Sequence, residues 1–265
     1  MPLNHQTEML DPMRERIASE LDAIERIHHV RILHACESGS RAWGFASQDS
    51  DYDVRFIYVH DTAWYLRLGE TRDVIEWALD EALDINGWDL SKALRLMRAS
   101  NPTIIEWLGS PIVYRERDEF ALVRNLAESA LSPRPIIYHY LNMARKNQTT
   151  HLSADRVRLK KYFYVMRSLL SAQWVTHRLS APPVPFHELV DAELEPAMLP
   201  LFQKLIQQKT SSVEHEPIPR IKELDDWINV TRAEIESAVT EIPSRGKPAW
   251  DTFDAAFLDI LEKSH

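Results

Sequence analysis

The chain has 265 residues, 45% of them hydrophobic and 27% charged, which leaves little room for extensive disorder and fits one or two globular domains. Its formal net charge of −9 excludes a global positive field, so any nucleic-acid substrate must be met by a local basic face. The single cysteine, Cys36, rules out an internal disulfide or a cysteine-rich zinc site and reads as a small apolar residue of a buried strand.

The opening MPLNHQTEML lacks the basic and apolar segments of a secretion signal, and apolar residues nowhere run to about 18 in a row. A soluble cytoplasmic protein with no membrane partner is expected. Residues 12–29 carry Ile17, Leu21, Ile24 and Ile27 at three- and four-residue steps, which predicts an amphipathic helix. A strand follows from Val30 to Glu37 and ends in Ser38-Gly39-Ser40, a turn or helix start. After a short helix and polar loop in RAWGFASQDS comes a second strand, Tyr52 to Val59, then one near 73–85. Asp89 is placed to cap the helix DLSKALRLMRAS, whose Leu90, Leu94 and Met97 face one way, and NPTIIEWLGSP opens and closes as another helix. The pattern to this point is α+β. Beyond about residue 118, helical segments near 119–130, 135–148, 154–179, 195–209, 220–240 and 249–263 are divided by prolines. The expected organisation is thus an α+β domain over 1–118 and an all-helical domain over 119–265.

Chemistry concentrates at Gly39-Ser40 and at Asp51 and Asp53. Backbone N–H groups at a strand-to-turn junction, with a serine hydroxyl, suit phosphate oxygens. After ten intervening residues from Ser40, Asp51 and Asp53 open the next strand, and alternation sends both carboxylates to one face. Without a cation such a pair repels; with Mg²⁺ it supplies hard oxygen ligands.

The string GSRAWGFASQDSDYDVRFIY, with later NPTIIEWLGSPIVY and KKYFYVMRSLLSAQWV, resembles the DNA polymerase β-type nucleotidyltransferase superfamily, in its YcgL-like, RNA repair pathway (RlaP-type) branch. The resemblance spans most of 30–190 and implies a mixed-sheet nucleotidyltransferase core with flanking helices, closed by a helical C-terminal domain. It further implies that Gly39 and Ser40 hold the triphosphate of an NTP, ATP being the first candidate. Asp51 and Asp53 would bind two Mg²⁺ ions, Mn²⁺ being an alternative, and a third carboxylate is expected on a following strand. Asp84, in Ala82-Leu83-Asp84-Ile85, is the best match, with Asp80, Glu81 and Asp89 as alternatives.

Arg41 is a candidate phosphate partner or a surface ion pair, and Arg55 shares the face of the two aspartates and is expected to neutralise them. Lys160, Tyr164 and Arg167 share one helical face, with Lys161 beside it, as a candidate nucleotide grip; the bland alternative is a solvated face with a core tyrosine. Tyr138, Asn142, Arg145 and Lys146 form a weaker second face. Most of the eight tryptophans read as core, Trp43 beside the Gly-Ser turn being the exception. The eleven histidines show no zinc-ligand spacing, and no GxxxxGK[ST] motif is present. The expected reaction is metal-dependent NMP transfer to a hydroxyl, an RNA end being the acceptor that the resemblance implies. Adenylylation of a protein or small molecule, and an antitoxin-like regulatory nucleotide-binding module, are the competing readings. Nothing in the sequence fixes the oligomeric state.

Overall fold

A computed structural model describes residues 12–47, 50–80, 82–211 and 217–264. The first part of the chain runs α1 (Pro12–His28), β1 (Arg31–Glu37), α2 (Gly39–Ala42), β2 (Tyr52–Val59), α3 (Thr62–Tyr65), β3 (Val74–Asp80), β4 (Leu83–Asp89), α4 (Leu90–Arg98), α5 (Pro102–Leu108) and β5 (Val113–Glu116). Among the described residues these strands form a five-stranded mixed sheet in the order β3-β4-β2-β1-β5. β1 runs antiparallel to β2 and β5, β3 antiparallel to β4, and β2 parallel to β4.

Alternation along the strands divides the core into two layers. On one face Val54, Phe56, Tyr58, Leu83 and Ile85 pack beneath Ile17, Leu21 and Ile24 of α1. Ile27, expected on the same stripe, is 55% exposed, because α1 ends at His28 and His29 turns the chain away at φ 52°. On the other face Leu33, Cys36, Ile57 and Val59 meet α4 and α5. Asp89 caps α4 by accepting from Ser91 N, and Asn101 caps α5 by accepting from Thr103 N.

The segment 73–85, expected as one strand, is two. Asp80 Oδ1 accepts from Ala82 N at 2.9 Å and Leu83 N at 3.0 Å, so the carboxylate itself reverses the chain without a glycine. The strand β5 was not legible as a separate element.

The remainder is helical: α6 (Ala121–Ala130), α7 (Pro133–His151), α8 (Leu159–Arg178), α9 (Phe186–Glu193), α10 (Leu199–Ser211), α11 (Lys222–Ala238) and α12 (Trp250–Lys263). A two-residue ladder pairs β6 (Arg156–Val157) with β7 (Ile218–Pro219). Tyr140, Tyr162, Phe163, Phe186 and Phe202 centre the core of α7 to α11. By contrast α6 and α12 contribute Val123, Leu126, Phe253, Ile260 and Leu261 to the layer under the sheet. Phe45, from the loop after α2, crosses the other way and is buried among the aromatic rings of α8 and α9. Among the described residues no helix is long and apolar enough to cross a membrane.

Candidate active site

Gly39 begins α2 at φ +60°, a conformation that favours glycine, and a Cβ there would overlap Asp53 Oδ2. The turn therefore lies directly against the carboxylate, and the pairing of Ser38 N with Asp53 O at 2.8 Å locks the two segments together. In the parallel register Asp53 stands beside Asp84, on the same sheet face as Ile57 and Trp88. Asp51 is exposed just ahead of β2.

Arg55 bridges the pair. Its Nη2 donates to Asp53 Oδ1 and to Asp84 Oδ2, both at 2.9 Å, so the neutralisation expected for Asp51 and Asp53 falls on Asp53 and Asp84 instead. Burial raises the Asp53 carboxyl above its usual range, opposed by Arg55 and reinforced by the charges of Asp84 and Asp51. Of the alternatives to Asp84, Asp80 is occupied in the hairpin turn and paired with Arg16 at 2.7 Å. Asp89 is the buried helix cap, and Glu81 lies outside the described residues.

A cavity of about 350 Å³ opens over Asp53 and Arg55, lined by Gly39, Ser40, Trp43, Ser50, Asp51, Asp53 and Arg55 and, from the helical part, Lys160, Tyr164 and Lys209; Asp84, behind Arg55, is not in its lining. Trp43 and Tyr164 meet edge to face with ring centroids 5.7 Å apart. The segment after α2, α8 and α10, far apart in sequence, thus supply cations and aromatic surface to the cavity that Asp51 and Asp53 line.

Three residues expected as nucleotide contacts are placed elsewhere. Arg167, in register with Lys160 and Tyr164, is turned inward: it is 3% exposed, bonds Glu106 at 2.8 Å and lies 4.4 Å from the Trp43 ring, which it supports from behind. Lys161 lies 5.0 Å over the Tyr164 ring, away from the cavity lining. Arg41 donates to Ser50 O at 2.6 Å and Asp51 O at 3.1 Å, clamping the loop that carries Asp51. On the weaker second face, Arg145 pairs with Glu236 at 2.9 Å.

Two residues were missed. Lys209 is buried at the cavity wall with its Nζ on Phe45 O at 2.8 Å, brought there by α10 with no local motif to announce it. Glu37, fully buried at the end of β1, accepts from Asp53 N at 2.8 Å and from Tyr114 Oη at 2.6 Å, and burial raises its carboxyl above the usual range. A glutamate closing an apolar strand just before Gly-Ser was the available signal.

The model of the RNA repair pathway DNA polymerase beta family, RlaP, matches residues 13–259. The chain belongs to that family. It is also 41% identical over 253 residues to "Uncharacterized protein YcgL" of Bacillus subtilis (strain 168), covering 95% of this chain and 97% of that protein. A crystal structure described as a nucleotidyltransferase-like protein from Exiguobacterium sibiricum 255-15 aligns with 86% of this chain and 74% of that one. Its 11% identity and TM-score of 0.29 make it too distant to carry weight. Membership in the RlaP family makes a DNA polymerase β-like nucleotidyltransferase the functional class, and the family description connects it with RNA repair.

Proposed function

We propose that this chain transfers a nucleoside monophosphate from an NTP, ATP being the first candidate, to the hydroxyl of an RNA end. The observation that carries the reading is the single cavity in which Gly39-Ser40, Asp51, Asp53, Lys160, Tyr164 and Lys209 converge.

Asp51 and Asp53 offer a divalent cation hard oxygens at the cavity wall and Asp84 stands beside Asp53, while among the described residues no three such side chains gather into one ligand cluster. Bound there, Mg²⁺ or Mn²⁺, as two ions, would activate the attacking hydroxyl and neutralise charge on the leaving group. Gly39 and Ser40 receive triphosphate oxygens, with Lys160 and Lys209 offsetting their charge. Trp43 and Tyr164 give the base an aromatic wall. The acceptor oxygen bonds to the α-phosphorus while the bond from that phosphorus to the α,β-bridging oxygen breaks, so pyrophosphate leaves with the electron pair. Asp84 orients the acceptor hydroxyl or takes its proton. In the same reading the catalytic unit spans 1–118 and the helical unit 119–265, with α6 and α12 lying back on the first.

The test is transfer of label from each α-labelled NTP, with magnesium, into RNA and into protein extract. Label that is nuclease-sensitive and absent with Asp51→Asn or Asp53→Asn supports the proposal; protease-sensitive label would move the acceptor to protein. One observation favours a regulatory module instead: Arg55 already satisfies both Asp53 and Asp84. Magnesium-independent nucleotide binding without transfer to any acceptor would select that reading.

A further inference from the structure

On the opposite side of the 39–44 turn lies a second cavity, of about 500 Å³, lined by Arg14, Arg41, Gly44, Ala46, Tyr52, Ile112 and Tyr114. Its described lining carries two arginines and no acidic side chain, in a chain of net charge −9. Alternation accounts for its position: Tyr52 lies between Asp51 and Asp53, so its ring goes to the α1 face, where Tyr114 of β5 also packs. Each arginine lies over one of these rings. Arg41 is 3.6 Å from the Tyr52 centroid, and Arg14 is 5.4 Å from that of Tyr114. Arg14 is further fixed by donating to Val113 O at 3.0 Å, and it remains exposed at the mouth together with Gly44.

A guanidinium over a ring keeps N–H groups for phosphate and offers a plane on which a base can stack; Arg41, whose Nε and Nη2 hold the carbonyls of Asp51 and Ser50, retains Nη1, and Arg14, whose Nη2 holds Val113 O, retains Nε and Nη1. We propose that this cavity seats the acceptor strand, a single-stranded RNA segment, with Arg14 and Arg41 on its phosphodiesters. The inference rests on the nucleotidyltransferase reading of the neighbouring cavity. A polymer is favoured over a free nucleotide because a polymer can hold a phosphate here and present a hydroxyl on the far side of the turn.

The walls of the two cavities are joined by hydrogen bonds. Arg41 bonds the carbonyls of Ser50 and Asp51, and Tyr114 bonds Glu37, which holds Asp53 N. A strand seated on Arg41 and Tyr114 therefore touches residues that position both carboxylates.

The experiment measures binding of a fluorescein-labelled single-stranded RNA 12-mer by anisotropy, for wild type, Arg14→Glu and Arg14→Lys. Binding of a fluorescent ATP analogue with Mg²⁺ is followed in parallel. Expected is a loss of RNA affinity of about tenfold or more in Arg14→Glu, largely restored in Arg14→Lys, with ATP-analogue affinity unchanged within about twofold. Unaltered RNA binding by Arg14→Glu, or wild type that binds the ATP analogue but no RNA, would overturn the inference and leave the nucleotidyltransferase reading standing. Wild type that binds no nucleotide and transfers no label to any acceptor sinks that reading, and the acceptor-strand role with it, even where Arg14-dependent RNA binding persists. Competition by AMP as effective as by unlabelled 12-mer would assign a free-nucleotide site and overturn the strand.

Discussion

Gly39 has neither backbone nor side-chain freedom to spare. Replacement by alanine sets a non-glycine residue at φ +60° and drives a methyl group into Asp53 Oδ2. The strain costs about 1–2 kcal/mol, a few degrees in a melting curve, whereas the displacement falls on the proposed metal ligand. Gly39→Ala is therefore expected to stay folded by circular dichroism while transfer activity drops at least about tenfold, the equivalent of roughly 1.4 kcal/mol in the barrier. A pH effect belongs to the same few atoms. Because burial raises the Asp53 carboxyl, its protonated form competes with a cation at higher pH than that of an ordinary aspartate does. Affinity for Mg²⁺, read by calorimetry, should thus rise with pH through that raised value and level off above it, and Asp53→Asn should flatten the rise. The four residues Gly39, Ser40, Asp51 and Asp53 were readable because they share one short stretch of fixed spacing. Lys209 was not, since it reaches the cavity from α10 through packing alone, and Arg167 was misplaced because helical periodicity gives a common face without saying how a long side chain bends toward Glu106.

Among elements, the loop after α2 does most to join the sheet to the helices. Phe45 is 2% exposed among Phe163 and Phe186, Phe186 N donates to Trp43 O at 2.8 Å, and Lys209 closes on Phe45 O. Phe45→Ala should cost about 3–5 kcal/mol, visible as a lowered urea midpoint. Trp43→Ala, at the half-buried wall, should act differently: KM for the NTP rises about tenfold with little change in kcat, as loss of a stacking surface worth roughly 1–3 kcal/mol implies. Strand β2 and the helices α4 and α5 were legible because apolar alternation and capping residues mark them locally. The β3–β4 hairpin was not, because Asp80 makes the turn that glycine would have advertised, and β5 is four half-buried or exposed residues that gain strand structure from pairing with β1.

At the scale of the whole molecule, the α+β start and helical remainder followed from where periodicity and proline spacing change. The path of the last helix did not, because an amphipathic stripe does not name its partner: α12 returns to the layer under the sheet with Phe253, Ile260 and Leu261. Truncation before Trp250 should strip that layer of side chains worth about 1.5–3 kcal/mol each and yield a chain that melts early or aggregates, as a thermal scan with light scattering would show. The helices α7 to α11 thus leave the first core after α6 and rejoin it before α12, and the two crossing points are neighbours. Ser132 N donates to Ser100 Oγ at 3.0 Å and its own hydroxyl to Arg245 O at 3.5 Å, while Arg98 Nε donates to Pro248 O at 2.8 Å. The helical body is thus pinned at its base by two adjacent straps, and Phe45, wedged between Phe163 and Phe186, pins it to the sheet a third time. Lys160, Tyr164 and Lys209 are therefore held at the cavity of the carboxylates as on a tripod, and a cut in either strap alone would leave two ties in place.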